Sequence, residues 1–431
     1  MSKHIKRECI TQDSERITQD SERITQDGEQ VFLILPSHFI NEIIMPSWHF
    51  FATCHSLWDL VPEQVLQSLL RVNASNDMKR NHAYTWAARI RSEEIFLWLQ
   101  ANKRPMKEST CHILALERNL DALKWARSHQ LPWNASLCSD IARYGHLNIL
   151  KWSHANGCPW NKLTCAHAAE NGHLDVLQWA RANGCPWDQY TCSEAASNGH
   201  LDVLQWAREN GCPWDQYTCS QAASNGHLDV LQWARENGCP WDEFTCSEAA
   251  SNGHLDVLQW ARENGCHWDE FTCSEAASNG HLDVLQWAHE NGCHWDENTC
   301  VHAASQGHLD VLKWLRENGC PWDKRTFAYA AQDGNLGVLI WLRENGCPWD
   351  ENTCGYAAEN GHLEVLKWAR QNGCPWDEYT CSAAAHEGHL DVLKWACENG
   401  CPPMDARTCL FAAENGHPHV LEWARENGYL D

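Results

Sequence analysis

The chain has 431 residues, of which 43 % are hydrophobic and 21 % charged, and its formal net charge is −24 at pH 7. An acidic surplus on that scale argues against nucleic acid or an anionic membrane as the main partner, because both would repel it. No apolar run approaches the roughly 18 residues of a membrane-spanning helix, and residues 1–30 lack the apolar stretch of a secretory signal.

Residues 1–30 carry a short repeat. Ile10-Thr-Gln-Asp-Ser-Glu-Arg16 returns at Ile17 and, imperfectly, at Ile24. Each heptad offers a single apolar residue, where a coiled-coil seam needs an a and a d. A polar tail, disordered or transiently helical, is the expectation.

Residues 31–70 contain no Lys or Arg and are rich in aromatics. Leu35-Pro36 leads into a helix whose apolar face is Phe39, Ile40, Ile43 and Ile44; Pro36 suits its first turn. Phe50 to Leu60, with Cys54 and Trp58, reads as a second short helix. The series Leu35-Pro36, then Ile40 and Ile43 with Glu42, then Cys54-x-x-x-Trp58 resembles a shortened F-box. The resemblance implies docking on the adaptor subunit of a cullin-type ubiquitin ligase through 31–70. The span from Leu35 to Cys54 is shorter than the family pattern. On the residues alone, 31–82 also reads as a helical cap over the end of the array that follows.

From Ala83 to the end one frame repeats, degraded at first and then regular. Thr191 to Gly211 returns almost letter for letter from Thr218, Thr245 and Thr272, a step of 27 residues. The unit predicts two short antiparallel helices. The first is expected from about Cys192 to Ser197, with Thr191 and Glu194 at capping-box spacing and Asn198-Gly199 as its stop. The second is expected from about His200 to Glu209, with Leu201, Val203, Leu204, Trp206 and Ala207 as one apolar stripe. Gly211 and Pro213 end it, and Trp214-Asp215 closes the unit. One pair cannot bury that stripe alone; a stack of pairs can.

The pattern Ala-Ala-x-x-Gly-His-Leu-x-Val-Leu, continued through Glu-Asn-Gly-Cys-Pro-Trp-Asp, resembles the ankyrin repeat. Ankyrin units run to about 33 residues. The residues missing here fall between Trp214-Asp215 and Thr218-Cys219, where that family has its β-hairpin finger. The unit is thus similar to the shortened repeats of large DNA viruses and protists. The resemblance implies an all-α, ankyrin-like solenoid of stacked helix–turn–helix units with reduced β-hairpin fingers, about 12–13 units over 83–431. It also implies a non-enzymatic protein–protein interaction scaffold. With the F-box reading, the repeats would hold the substrate of a ligase.

The 24 cysteines follow the frame. One class follows the first-helix Thr, as Cys192 does; the other follows the second-helix Gly, as Cys212 does. Only Cys9, Cys54 and Cys397 lie outside both. Buried structural thiols are expected, in a reducing compartment such as cytoplasm or nucleus, of a host cell if the source is viral. Cys185, Cys192 and His200 recur together, but their spacing is not that of a zinc site; disulfides between the classes are the remaining reading. Most of the 26 Trp also recur with the unit, as Trp206 and Trp214 do, and are expected in the core.

Copies differ at two places, and these are the candidate partner-binding positions. One is the pair after Trp-Asp, which supplies Tyr190, Tyr217, Phe244, Phe271, Lys324, Arg325 and Tyr379. The other lies further along the first helix and supplies Glu194, Glu248, Tyr329 and Tyr356. Aromatics flanked by carboxylates suit a protein or peptide. The glycines follow the repeat rather than a phosphate loop, and there is no Gly-x-Ser-x-Gly elbow. No catalytic residue, metal or cofactor is expected.

Overall fold

The structure, a computed structural model, describes residues 83–101, 103, 105–402 and 406–429. The heptads of 1–30 and the F-box candidates Leu35, Pro36, Ile40, Ile43 and Trp58 lie outside these residues. The chain divides into two compact units, Met1–Thr110 and Cys111–Asp431. The described residues form 26 α-helices and no strand.

In the first unit the helices Ala83–Ile90 and Glu93–Ala101 pair, with the Tyr84 ring edge-on to Phe96 at 5.5 Å. In the second unit the same pairing repeats, and the regular copy is the helix Gln189–Ser197 followed by Leu201–Glu209.

The first helix begins earlier than the capping-box spacing suggests. Asp188 has extended backbone, φ −146° and ψ −169°, and its carboxylate accepts from the Tyr190 amide at 3.2 Å. Asp188 is therefore the N-cap, and Trp-Asp opens a unit instead of closing one. Thr191 lies within the first turn; its hydroxyl is fully buried and has no partner. The physical reason is that Asp and Asn are the strongest caps, and every regular unit has one at this position, from Asn134 to Asp377.

The stop is a glycine at φ 72°, Gly199, after which His200 starts the second helix. The histidine packs against the turn of the preceding unit. A Cβ on Gly199 would meet the His227 ring of the next unit at 2.8 Å. In two units the imidazole Nε2 also lies 3.1 Å from a carbonyl of the preceding unit, His173 to Arg143 and His281 to Ser251.

The second helix ends in a Schellman arrangement. The Gly211 amide donates to the Arg208 carbonyl at 3.0 Å and the Cys212 amide to that of Ala207 at 2.9 Å, with Gly211 at φ 82°. Residues 213–215 then lead into the next cap with no strand between, so the finger is reduced to a turn.

Cys192, Ala195, Ala196, Val203, Leu204, Ala207 and Cys212 are fully buried, and their equivalents continue this core along the stack. Small alanines let successive first helices pack closely on one another, while second helices touch their neighbours less. The tryptophans correct the expectation of a core stripe. Trp206 and Trp214 are half-buried. Trp214 is covered on one face by the Arg208 guanidinium at 3.9 Å and meets Trp233 edge-on at 5.9 Å. The indoles form a ladder on the rim of the core, and in most units an arginine covers the indole of the turn.

Candidate interaction surface

On the first helix, Tyr190 and Glu194 stand four residues apart and share one face. Thr191 and Cys192 turn inward, so the neighbouring ring at position 190 turns out. Tyr190 is 54 % exposed, Tyr217 61 %, Phe244 60 % and Phe271 58 %. Four consecutive units thus carry an exposed ring at the same position. Leu163, 44 % exposed, extends the row by one unit. Sequence reasoning passed over it because it is aliphatic, although it holds the same place in the frame.

The second row is built into the scaffold. Ser224 donates to Glu248 at 2.9 Å and Ser251 to Glu275 at 3.2 Å. Asn252 donates to Ser224 at 3.1 Å, so each rung ties two units together. The signal for these ties was the Ser-Asn that precedes the stop in four consecutive units, from Ser197-Asn198 to Ser278-Asn279, legible only once the offset between units is known. Burial, with Glu170 nearby, holds the Glu194 carboxyl above the usual carboxylate range. At the head of the row, Leu163, His167, Glu170, Tyr190 and Glu194 line a shallow open depression of ≈ 380 Å³, beside the Arg143–Glu170 ion pair at 2.6 Å.

The remaining candidates lie in later units and are mostly engaged. Lys324 pairs with Asp350 at 2.8 Å. Arg325 pairs with Asp323 at 2.8 Å and Glu297 at 3.2 Å. Tyr329 is 37 % exposed and packs at 5.9 Å on the half-buried Tyr356. The Tyr379 ring lies against Gly355, and its hydroxyl donates to Glu359 at 2.8 Å. Burial and that carboxylate push its pKa up to about 12. The structure therefore brings Tyr190, Tyr217, Phe244 and Phe271 into one row and sets the later residues apart in local clusters.

The described cysteines of both repeating classes are buried and free. Hydrogen bonding to a neighbouring thiol, with burial second, holds Cys192, Cys219 and Cys246 far above the ordinary thiol range. Among the described residues, no group of three or more His, Cys, Asp or Glu is placed to hold a metal ion. None of the described helices is long and apolar enough to cross a membrane.

Residues 246–326 and 273–353 match a family model described as ankyrin repeats (3 copies), and 219–262 match one described as ankyrin repeats (many copies). No curated protein matches the chain. Among solved structures, it is similar to the ankyrin repeat domain of human ASB11, with 19 % identity, 36 % of this chain and 84 % of that chain covered, and a TM-score of 0.32. It is also similar to the pentatricopeptide repeat protein PPR10 in complex with an 18-nt psaJ RNA element, with 15 % identity, 88 % and 68 % covered, and a TM-score of 0.38. At these values neither structure bears on what this chain binds.

Proposed function

The chain is an ankyrin-repeat protein, and from that premise we propose that it is a non-enzymatic scaffold holding an extended protein or peptide along the first-helix face of its array. Ankyrin repeats are general protein–protein interaction modules. The observation that carries the reading is the row Tyr190, Tyr217, Phe244 and Phe271, each more than half exposed. Large rings that contribute nothing to their own core supply contact area at little entropic cost when a partner covers them. A periodic row suits an extended ligand better than a reacting centre.

The test replaces the four rings by alanine and compares partner capture with the unaltered chain. The rings are exposed, so helicity and thermal unfolding should stay unchanged while captured proteins are lost. Capture of the same proteins at the same yield by both chains rejects the reading.

The sequence supports a second reading, in which the chain is the substrate receptor of a cullin-type ubiquitin ligase. It rests on Leu35-Pro36, Ile40, Ile43 and Trp58. Here capture with and without residues 31–70 decides. An adaptor subunit recovered only by the full chain supports the receptor, and its absence from both removes the F-box reading.

A further inference from the structure

Lys162 shows what this surface accepts. Its ammonium lies 2.7 Å from Asp188, the cap of the next unit, and 5.5 Å above the Tyr190 ring. Lys324 repeats the ion pair with the next cap, reaching Asp350 at 2.8 Å. In both cases the lysine stands at the first position of a first helix and crosses to the unit that follows.

Between these two lysines the sequence changes while the receptor stays. The lysine position is held by Gln189, Gln216, Glu243, Glu270 and Glu297, and by the same offset the first three stand opposite the caps Asp215, Asp242 and Asp269. Each of those caps is followed two residues on by an exposed ring, Tyr217, Phe244 or Phe271. The first helices that carry these residues contain no Lys or Arg. Among the described residues, no ion pair reaches any of the three caps. Asp242 differs further: its carboxylate makes no capping bond, and its buried Oδ1 has no partner. Ring and carboxylate are in place three times over, and the chain supplies an amide or an acid where Lys162 and Lys324 supply a cation.

We propose that Tyr217, Phe244 and Phe271, each with its cap carboxylate, are three consecutive receptors for lysine or arginine side chains of one extended basic segment. This deepens the scaffold reading and rests on it. A cation over a ring beside a carboxylate joins cation–π attraction to an ion pair. Packed helices lie about 8–10 Å apart, and an extended segment in the polyproline II conformation rises about 3.1 Å per residue with three residues per turn, so every third side chain returns to one face. One unit therefore corresponds to about three residues of ligand, and the matching pattern is cation-x-x-cation-x-x-cation. Lys162 at one end and Lys324 with Arg325 at the other limit the tract. The net charge of −24 draws a basic segment toward the chain.

The probes are fluorescent synthetic peptides with three lysines at every third position, the same composition with the lysines adjacent, and glutamate in place of lysine. Binding to the full chain is read by anisotropy at low salt. The decisive variant is Gln189→Lys with Gln216→Lys and Glu243→Lys, which gives each receptor a cation from the chain itself. Lys162 and Lys324 show that the fold accommodates lysine there. A control, Glu209→Lys with Glu236→Lys, makes the same change in net charge at exposed ends of second helices.

The expected result is that the every-third-lysine peptide binds at least about tenfold more weakly to the triple-lysine chain, while the control keeps most of its affinity. Lys162→Gln, which opens a fourth receptor at Tyr190, should tighten a four-lysine peptide. Equal binding to the unaltered and triple-lysine chains, equal binding of the two lysine spacings, or no binding of any basic peptide up to about 1 mM overturns the proposal. A captured partner that is lost on the alanine chain and kept on the triple-lysine chain leaves the scaffold reading standing and removes the cation receptors alone.

Discussion

Gln130 holds a left-handed backbone, φ 61°, where the next unit has Gly157 at φ 81°. Arg118, φ 58°, likewise stands where that unit has Gly145. The early units thus keep the turn geometry without the residue that adopts it freely. A side chain in this region costs roughly 1–2 kcal/mol, so Gln130→Gly should stabilise the chain by about 1 kcal/mol in urea unfolding. The reverse change separates two kinds of glycine. A Cβ on Gly211 meets nothing within 4 Å, so Gly211→Ala should cost only the backbone strain, about 1–2 kcal/mol. A Cβ on Gly199 also meets His227 at 2.8 Å, so Gly199→Ala should cost distinctly more. Equal costs would mean that the histidine moves aside freely.

Cys397 is the residue-scale exception among the described thiols. It is partly exposed, and its sulfur lies 3.9 Å from that of Cys381, within hydrogen-bond reach. That bond, with a smaller contribution from the Tyr429 hydroxyl, lowers its pKa to about 7. Thiolate is the nucleophile, so alkylation of Cys397 should rise between pH 6 and 8, on either side of about 7, and level off above. Cys192 and Cys219, raised by thiol contacts and burial, should stay unlabelled in the folded chain. Peptide mapping after brief iodoacetamide treatment reads both. Labelling of Cys192 at the rate of Cys397 would contradict the burial argument.

At the scale of the element, the second helix and the turn after it act as one piece. Arg235 covers Trp241 at 3.9 Å and donates to the Cys239 carbonyl at 2.6 Å, so one guanidinium caps a helix end and holds an indole. Where the arginine is absent the chain still pairs the positions. His154 stacks on Trp160 and His289 on Trp295, each at 3.6 Å. Where Cys397 takes the arginine position, the following turn has no Trp either. Arg235→Ala should therefore cost about 1–2 kcal/mol, from lost stacking and lost end-charge, and Arg235→His distinctly less. Equal losses in urea unfolding would show that the flat stacked group contributes little.

Much of this element was legible beforehand. The helix pair, the glycine stops, the buried thiols and the strandless turn follow from repetition, because any residue present in every copy must satisfy a contact that every copy makes. What was not legible depends on the offset between copies. Thr191 and Glu194 have capping-box spacing, yet Asp188 caps, since Thr191 is needed inside. Trp206 has an apolar identity but a half-covered place. Lys162 reaches Asp188 and Tyr190 only because one unit overlaps the next, and no spacing within a unit announces that.

For the whole molecule, near-identity of neighbours means that stability is close to a sum of unit and interface terms. Removing residues 218–244 tests this directly. The deletion joins Tyr217 to Thr245, so the junction reads Asp215-Gln-Tyr-Thr-Cys-Ser-Glu248, the same order as Asp188 to Glu194. Ser197, which now donates to Gln221 at 3.3 Å, would meet Glu248 as Ser224 does at 2.9 Å. His254 would settle on Gly199 as His227 does, because a cradle of the same kind recurs at Gly226. Every contact class is restored, and only their number falls. The shortened chain should keep its helicity per residue, with an unfolding midpoint lowered by roughly 2–4 °C for each kcal/mol of the lost terms. A broad transition or a loss of helicity would show that the copies are not interchangeable, and that small differences such as Gln221 against Glu248 set a fixed order of units. The same deletion removes the receptor at Phe244 and brings those at Tyr217 and Phe271 next to each other. A peptide with two lysines three residues apart should then bind as it does to the full chain, while one with three loses its advantage over two.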